Sequence, residues 1–157
     1  MQKIEDKLSQ KKFQNEWHKL RVNLLHTASW LKNEVANFLA PYGITQPQFN
    51  ILRIMRGHHP EPMSTLQIRE RMIDRMSDTS RMVERLVKKS LLRKEPCTHD
   101  KRLVNIYITE AGLNLLFLID QKMPQLDAVT QSLDESEAQL LNALLDKLRI
   151  EGEVPFG

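Results

Sequence analysis

Apolar positions near the start of the chain recur at spacings of three and four. Phe13, Trp17, Leu20, Leu24, Ala28, Leu31, Val35 and Phe38 make one stripe, the mark of a long amphipathic helix running to about Leu39. A stripe this long calls for several partner helices or a second chain. Pro41 and Gly43 end it. Thr45-Gln46-Pro47-Gln48 then has the form of a capping box, with Thr45 as the cap and Gln48 reaching back to it. The helix it opens carries Phe49, Leu52, Ile54 and Met55 and stops near Gly57. His58-His59-Pro60-Glu61-Pro62 is a turn-rich loop. Ser64-Thr65-Leu66-Gln67 repeats the capping pattern before a short helix with Leu66, Ile68 and Met72.

The next helix is expected to begin near Ser77. Thr79, Met82, Val83, Leu86, Val87 and Ser90 share one face of it, and Ser77, Arg81, Arg85 and Lys88 share the other. Then the period changes to two. Residues 91–95 and 103–108 read as strands, with Val104, Ile106 and Ile108 alternating against Leu103, Asn105 and Tyr107. The polar loop between them, 96–102, is too long for a two-residue turn and predicts a protruding hairpin. Thr109 caps another helix, apolar from Leu113 to Ile119, and Pro124 should kink or break it near Lys122. Asp134 starts a last helix with Leu140, Leu141, Leu144, Leu145 and Leu148, and the tail 151–157 should fray. This order predicts a mainly α fold with a small β-hairpin wing: a winged helix-turn-helix flanked by N- and C-terminal helices.

Composition narrows the class. With 157 residues, 41% apolar and 27% charged, the chain is long enough for one domain, 1–157, with a real core. The single cysteine, Cys97, rules out an internal disulfide and fits a reducing compartment. The charged N-terminus has no run of signal-peptide type, and no stretch nears the roughly 18 apolar residues of a membrane span. A cytoplasmic protein without a membrane partner is expected. Charge is uneven: residues 64–102 hold 11 basic and 6 acidic groups, and residues 103–157 hold 3 and 9. A basic middle points to an anionic partner, although clustered solvated charges leave the same trace.

Candidate chemistry favours binding over turnover. The chain has no Gly-rich phosphate loop, no His-Glu-x-x-His, no CxxC and no nucleophile elbow, so no enzyme and no cofactor are expected. The His58–His59 pair lacks a third ligand nearby, so no metal site is expected. Cys97 sits among Lys94, His99, Lys101 and Arg102, which would lower its pKa, but an incidental loop thiol reads the same way. A recognition helix needs a polar N-terminus for the major groove and an apolar back. Ser77, Asp78, Thr79 and Ser80 supply the first; Met82, Val83, Leu86 and Val87 supply the second. Arg81 and Arg85 are placed for guanine edges or phosphates, and Lys88 continues their stripe. Arg93, Lys94, Lys101 and Arg102 lie on or beside the hairpin, whose tip suits a minor groove. Asp100 would fix the Arg102 side chain. A solvated amphipathic helix and an ordinary charged loop would look similar.

At these residues the chain resembles the multiple antibiotic resistance regulator (MarR) family of winged helix-turn-helix repressors. The resemblance lies in Gly43-Ile44-Thr45-Gln46-Pro47-Gln48 after a long first helix, and in Ser80-Arg81-Met82-Val83-Glu84-Arg85-Leu86. Asp100-Lys101-Arg102 and Ile108-Thr109-Glu110-Ala111-Gly112 match the wing signature, and the leucines after Leu133-Asp134-Glu135 are also similar. It implies a homodimer built from helices in 9–40 and 113–150, with 45–109 as the DNA-binding winged region. It implies a sequence-specific regulator, a repressor in most members, acting on a pseudo-palindromic site of double-stranded DNA. In many members a small aromatic or phenolic effector releases the DNA. Trp17, His26, Trp30 and Phe49 are candidate effector contacts that read equally well as core. Two positions depart from the pattern. Ser90 stands where the family usually has Gly. Cys97 lies in the wing, whereas peroxide-sensing members carry their reactive cysteine near the start of the first helix. A winged-helix module that binds another protein and not DNA is the alternative.

Overall fold

The computed structural model describes residues 3–8, 12–96 and 104–149. Cys97, Asp100, Lys101, Arg102 and the tail 151–157 lie outside them. The chain forms two compact units, Met1–Gln121 and Lys122–Gly157. Among the described residues, no helix is long and apolar enough to cross a membrane.

The first unit opens with a single turn, α1 (Ile4–Lys7), which the apolar pattern does not predict. Lys19 pairs with Glu5 at 2.6 Å and ties this turn to the long helix α2 (Glu16–Leu39). That helix starts three residues after Phe13. Asn15 is extended and its side chain accepts from His18 N–H at 2.8 Å, so the N-cap is set here. Phe13 instead packs edge-on against His18, with ring centroids 5.4 Å apart. At its other end α2 runs into a short 3₁₀ turn, Ala40–Tyr42, and Gly43 follows in the left-handed region at φ 65°.

The two capping boxes occur as expected. Thr45 and Gln48 exchange bonds at the start of α3 (Gln46–His58), and Ser64 and Gln67 do so at α4 (Thr65–Arg71). The helix α5 (Thr79–Lys88) begins two residues later than Ser77, because the Asp78 side chain accepts from Arg81 N–H at 3.0 Å and acts as the cap. Ser90, after it, adopts φ 59°. The departure from Gly therefore keeps the left-handed turn and puts a Cβ in it. That conformation exposes Ser90, so it does not join the inner face of the helix.

Strand β1 (Leu92–Pro96) pairs antiparallel with β2 (Val104–Ile108), Leu92 opposite Ile108. Leu91 stays out of the strand because its N–H closes the helix end on Leu86 O at 3.0 Å. A rung not anticipated from the sequence lies on the other side of β2. Met63 and Ile106 exchange two backbone hydrogen bonds of 3.0 Å each. Helix α6 (Glu110–Asp120) follows, capped by Thr109. Leu39, Ile51, Leu52, Met55, Met63, Ile68, Val83, Leu86, Leu92, Ile106, Leu116 and Ile119 are fully buried and form the core.

Three contacts converge where α5, the hairpin and α6 meet. Thr109 Oγ1 donates to Ser90 O at 2.7 Å and accepts from Gly112 N–H at 3.1 Å. Thr109 N–H donates to Leu91 O at 3.2 Å. A Cβ on Gly112 would lie 2.4 Å from Leu91 O and 2.8 Å from Ile108 Cγ1, so only glycine lets the helix approach this closely.

In the second unit, α7 (Met123–Asp127) has Pro124 in its first turn, where a missing N–H costs nothing. The break expected near Lys122 is thus a restart. A 3₁₀ turn, Ala128–Thr130, leads to α8 (Glu135–Leu148), whose capping box joins Asp134 and Glu137. The Ser136 hydroxyl, then the Glu137 amide, hold the Asp134 carboxyl below its usual range.

Ser90→Gly should raise the urea midpoint, by about 1 kcal/mol of stability, since the bond to the Ser90 carbonyl survives and the left-handed strain is relieved. Gly112→Ala should lower stability by about 1–3 kcal/mol in the same titration, because the helix must move off Leu91.

Candidate nucleic-acid interface

Helix α5 is divided lengthwise. Thr79, Val83 and Leu86 are buried, and Met82 and Val87 half-buried. Ser80, Arg81, Arg85 and Lys88 are exposed on the other side. Arg81, Arg85 and Lys88 are spaced four and three apart and stand along one face. Among the described residues none of the three has an ion-pair partner. Three cationic heads in water with no internal carboxylate leave their full charge available to an anion.

The hairpin is braced against this helix. Lys94 on β1 pairs with Glu84 on α5. Arg93 pairs with Glu95 and lies over the Tyr107 ring, its guanidinium carbon 4.0 Å from the centroid. These cations hold the wing's base to the helix and to itself. A further pair of arginines, Arg53 and Arg56 on α3, grips Asp120 at the end of α6, the first at 3.1 Å.

Beside the N-terminus of α5 is a groove of about 290 Å³, lined by Thr65, Leu66, Arg69, Ser77, Asp78, Thr79 and Ser80. Its rim combines hydroxyls, an exposed guanidinium and the amide end of a helix, a set suited to a phosphate oxygen. A larger cavity of about 510 Å³ is lined by Lys32, Gln46, Pro47, Asn50, Met72, Ile73, Asp74 and Ser77. Ser77 borders both.

Residues 44–104 match the model of the MarR family. The match runs from just before α3 to the start of β2. Among solved structures, it is similar to a MarR transcription factor from Planctomyces limnophilus, with 26% identity, 87% of this chain and 98% of that one covered, and a TM-score of 0.67. It is similar in fold to a mutant MarR from E. coli complexed with operator DNA, at 24% identity, covering 88% and 99%, with a TM-score of 0.77. It also matches an organohalide-sensing transcriptional regulator in its 2,4-dichlorophenol-bound form, at 18% identity, covering 89% and 83%, with a TM-score of 0.80. Among curated proteins nothing matches.

Within this matched region the expected site residues fall into three groups. Ser80, Arg81, Arg85 and Lys88 are exposed together on α5. Ser77 and Asp78 sit in the turn before it, where the Asp78 carboxylate is occupied as the cap. Thr79 requires a correction: its side chain is only 3% exposed and turns inward, donating to Ser77 O at 3.3 Å. As the first residue of the helix after its cap, Thr79 falls on the packed face and leaves no side-chain surface for a ligand. Asp100, Lys101 and Arg102 lie outside the described residues. Sequence reasoning missed Thr65, Leu66 and Arg69. The capping box at Ser64 was the available signal, since it sets the turn of α4 that places these three beside α5. Neither of the candidate effector-contacting tryptophans is core: Trp17 is 79% and Trp30 41% exposed. The larger cavity is lined by other residues than these two, His26 and Phe49.

Replacing Asp78 separates its capping role from its charge. Asp78→Ala should cost about 1 kcal/mol of unfolding free energy, whereas Asp78→Asn should stay within a few tenths of wild type in the same thermal or urea titration.

Proposed function

We propose that the protein is a sequence-specific DNA-binding transcriptional regulator, a ligand-responsive repressor that acts as a homodimer on a pseudo-palindromic site. The observation that carries this reading is the exposed stripe of Arg81, Arg85 and Lys88, unpaired among the described residues, on a helix whose other face is locked into the core. Such a helix enters a major groove without reorganising, with Arg81 and Arg85 directed at guanine edges or phosphates and Lys88 at the backbone. The groove beside Ser77 and Ser80 receives a phosphate, and Asp100, Lys101 and Arg102 carry the wing into the adjacent minor groove. The E. coli MarR that this fold resembles is bound to operator DNA.

The homodimer reading draws on exposed apolar surface. Trp17, Leu20, Leu25 and Trp30 on α2 are 41–79% exposed, and Leu140, Leu141, Leu144 and Leu148 on α8 are 42–62% exposed. Water-facing leucines and tryptophans at helical spacing favour a second chain over solvent. Two copies would present two recognition helices to successive major grooves. The effector reading rests on the 510 Å³ cavity, where Pro47, Met72 and Ile73 offer apolar contacts and Lys32 a cation for a phenolate. An occupant that prefers one placement of the turn before α5 shifts the population away from the DNA-binding form. The organohalide-sensing regulator of similar fold holds a dichlorophenol.

Selection of bound duplexes from a random library should return a palindromic consensus, and affinity for it should fall steeply as salt rises. Arg81→Ala and Arg85→Ala should each cost about 1–3 kcal/mol of binding, and Lys88→Ala should reduce the salt slope by about 1. Weak duplex binding with a flat salt response, or arginine variants that bind like wild type, would assign the helix to a protein partner instead.

A further inference from the structure

The turn between α4 and α5 has little to hold it. Met72 at its head is 4% exposed and Thr79 beyond its tail 3%, so both ends are anchored in the core. Between them Ile73 is 79% and Met76 94% exposed, and Asp74, Arg75 and Asp78 also face water. Apolar packing therefore does not fix the middle of the turn. Its other hydrogen bonds are local. Met72 N–H reaches back to Arg69 O at 3.2 Å, Ser77 N–H to Asp74 O at 3.3 Å, and Met76 N–H to Asp74 Oδ1 at 3.0 Å.

One bond crosses to another element. Ile73 N–H donates to Asn50 Oδ1 on α3 at 2.9 Å, across 23 residues of sequence. Asn50 precedes Ile51 and Leu52, both fully buried, so its carboxamide projects from a rigid part of the unit. On the cavity side Asn50, Ile73, Asp74 and Ser77 line open space, so no packed side chain there can take over the role of the lost bond.

We propose that Asn50 is a positioning residue for the recognition helix, setting through Ile73 where the turn lies and hence how α5 presents Arg81 and Arg85. This rests on the DNA-binding reading above and adds a residue that does not itself touch DNA. The bond fixes the turn at its second residue, six residues before the helix begins. Without it the stretch 73–76 samples many arrangements, and the first turn of α5, which carries Arg81, is held to its register only by the Asp78 cap and the buried Thr79. Phosphate contacts tolerate such play; bidentate base contacts do not.

The test uses the full-length protein as wild type, Asn50→Ala, Asn50→Ser and Asn50→Asp. The serine hydroxyl is too short to reach Ile73, and it keeps a polar residue should the alanine variant fail to fold. The aspartate retains an acceptor oxygen at the same distance. Hydrogen–deuterium exchange of the free protein should quicken in residues 72–79 for the alanine and serine variants, with residues 51–56 protected as in wild type. The ratio of affinity for a selected duplex over a random duplex of equal length should fall roughly three- to tenfold, the worth of one hydrogen bond. The salt slope should stay unchanged. Aspartate should restore both the protection and the ratio, since its added charge weakens binding to both duplexes alike. Wild-type exchange across 72–79 in the alanine and serine variants would overturn the proposal. So would an equal loss of protection across 51–56 and 72–79, which marks a merely structural role. Should wild type not distinguish the two duplexes, the DNA reading fails, and the exchange measurement still decides whether Asn50 holds the turn.

Discussion

The Leu91 carbonyl is the point on which the first unit is assembled. It accepts the N–H of Thr109, and it lies where any Cβ on residue 112 would have to go. Through Thr109, whose hydroxyl also reaches Ser90 O, the exit of α5 is joined to the start of α6. The hairpin lies between these two ends in the chain. Its register is therefore closed at the base, Leu92 against Ile108, before any contact at the tip is considered. A recognition helix, a wing and the following helix share one junction of a few hydrogen bonds and one missing methyl group.

Charge in this unit is divided between two tasks. Lys94 and Arg93 are committed to Glu84, Glu95 and the Tyr107 ring, and Arg53 and Arg56 to Asp120. Arg81, Arg85 and Lys88 have no such commitment among the described residues. Exposed ion pairs contribute little stability, about 0–1 kcal/mol each. Their consequence here is geometric: Lys94–Glu84 joins the hairpin to α5 and the arginines of α3 join that helix to α6, while Arg81, Arg85 and Lys88 remain available to an anion.

Local chemistry made much of this legible. Capping boxes at Thr45 and Ser64 and the caps Thr109 and Asp134 all involve partners within three residues, so spacing alone reveals them, whereas the left-handed turn at Ser90 was expected from the family resemblance. The face of α5 that carries the arginines followed from helical periodicity. What escaped was set by residues far apart in sequence. The Met63–Ile106 rung spans the winged region, Lys94 finds Glu84 only once β1 folds beside α5, and Arg69 joins the groove only when α4 meets α5. Thr79 was expected both on the packed face of α5 and at its DNA-facing start, and its burial leaves only the first, a choice that the tertiary fold makes.

The Met63 rung also bears on how the wing stays apart from its neighbours. With Met63 on one side of Ile106 and β1 on the other, β2 is an interior strand at that point. The outer edge of the small sheet is then β1, which reads Leu-Arg-Lys-Glu-Pro. Three charged side chains and a terminal proline without an N–H make a poor template for another strand. An exposed sheet edge is an open invitation to edge-to-edge aggregation, and along β1 it is blunted by the composition of five residues.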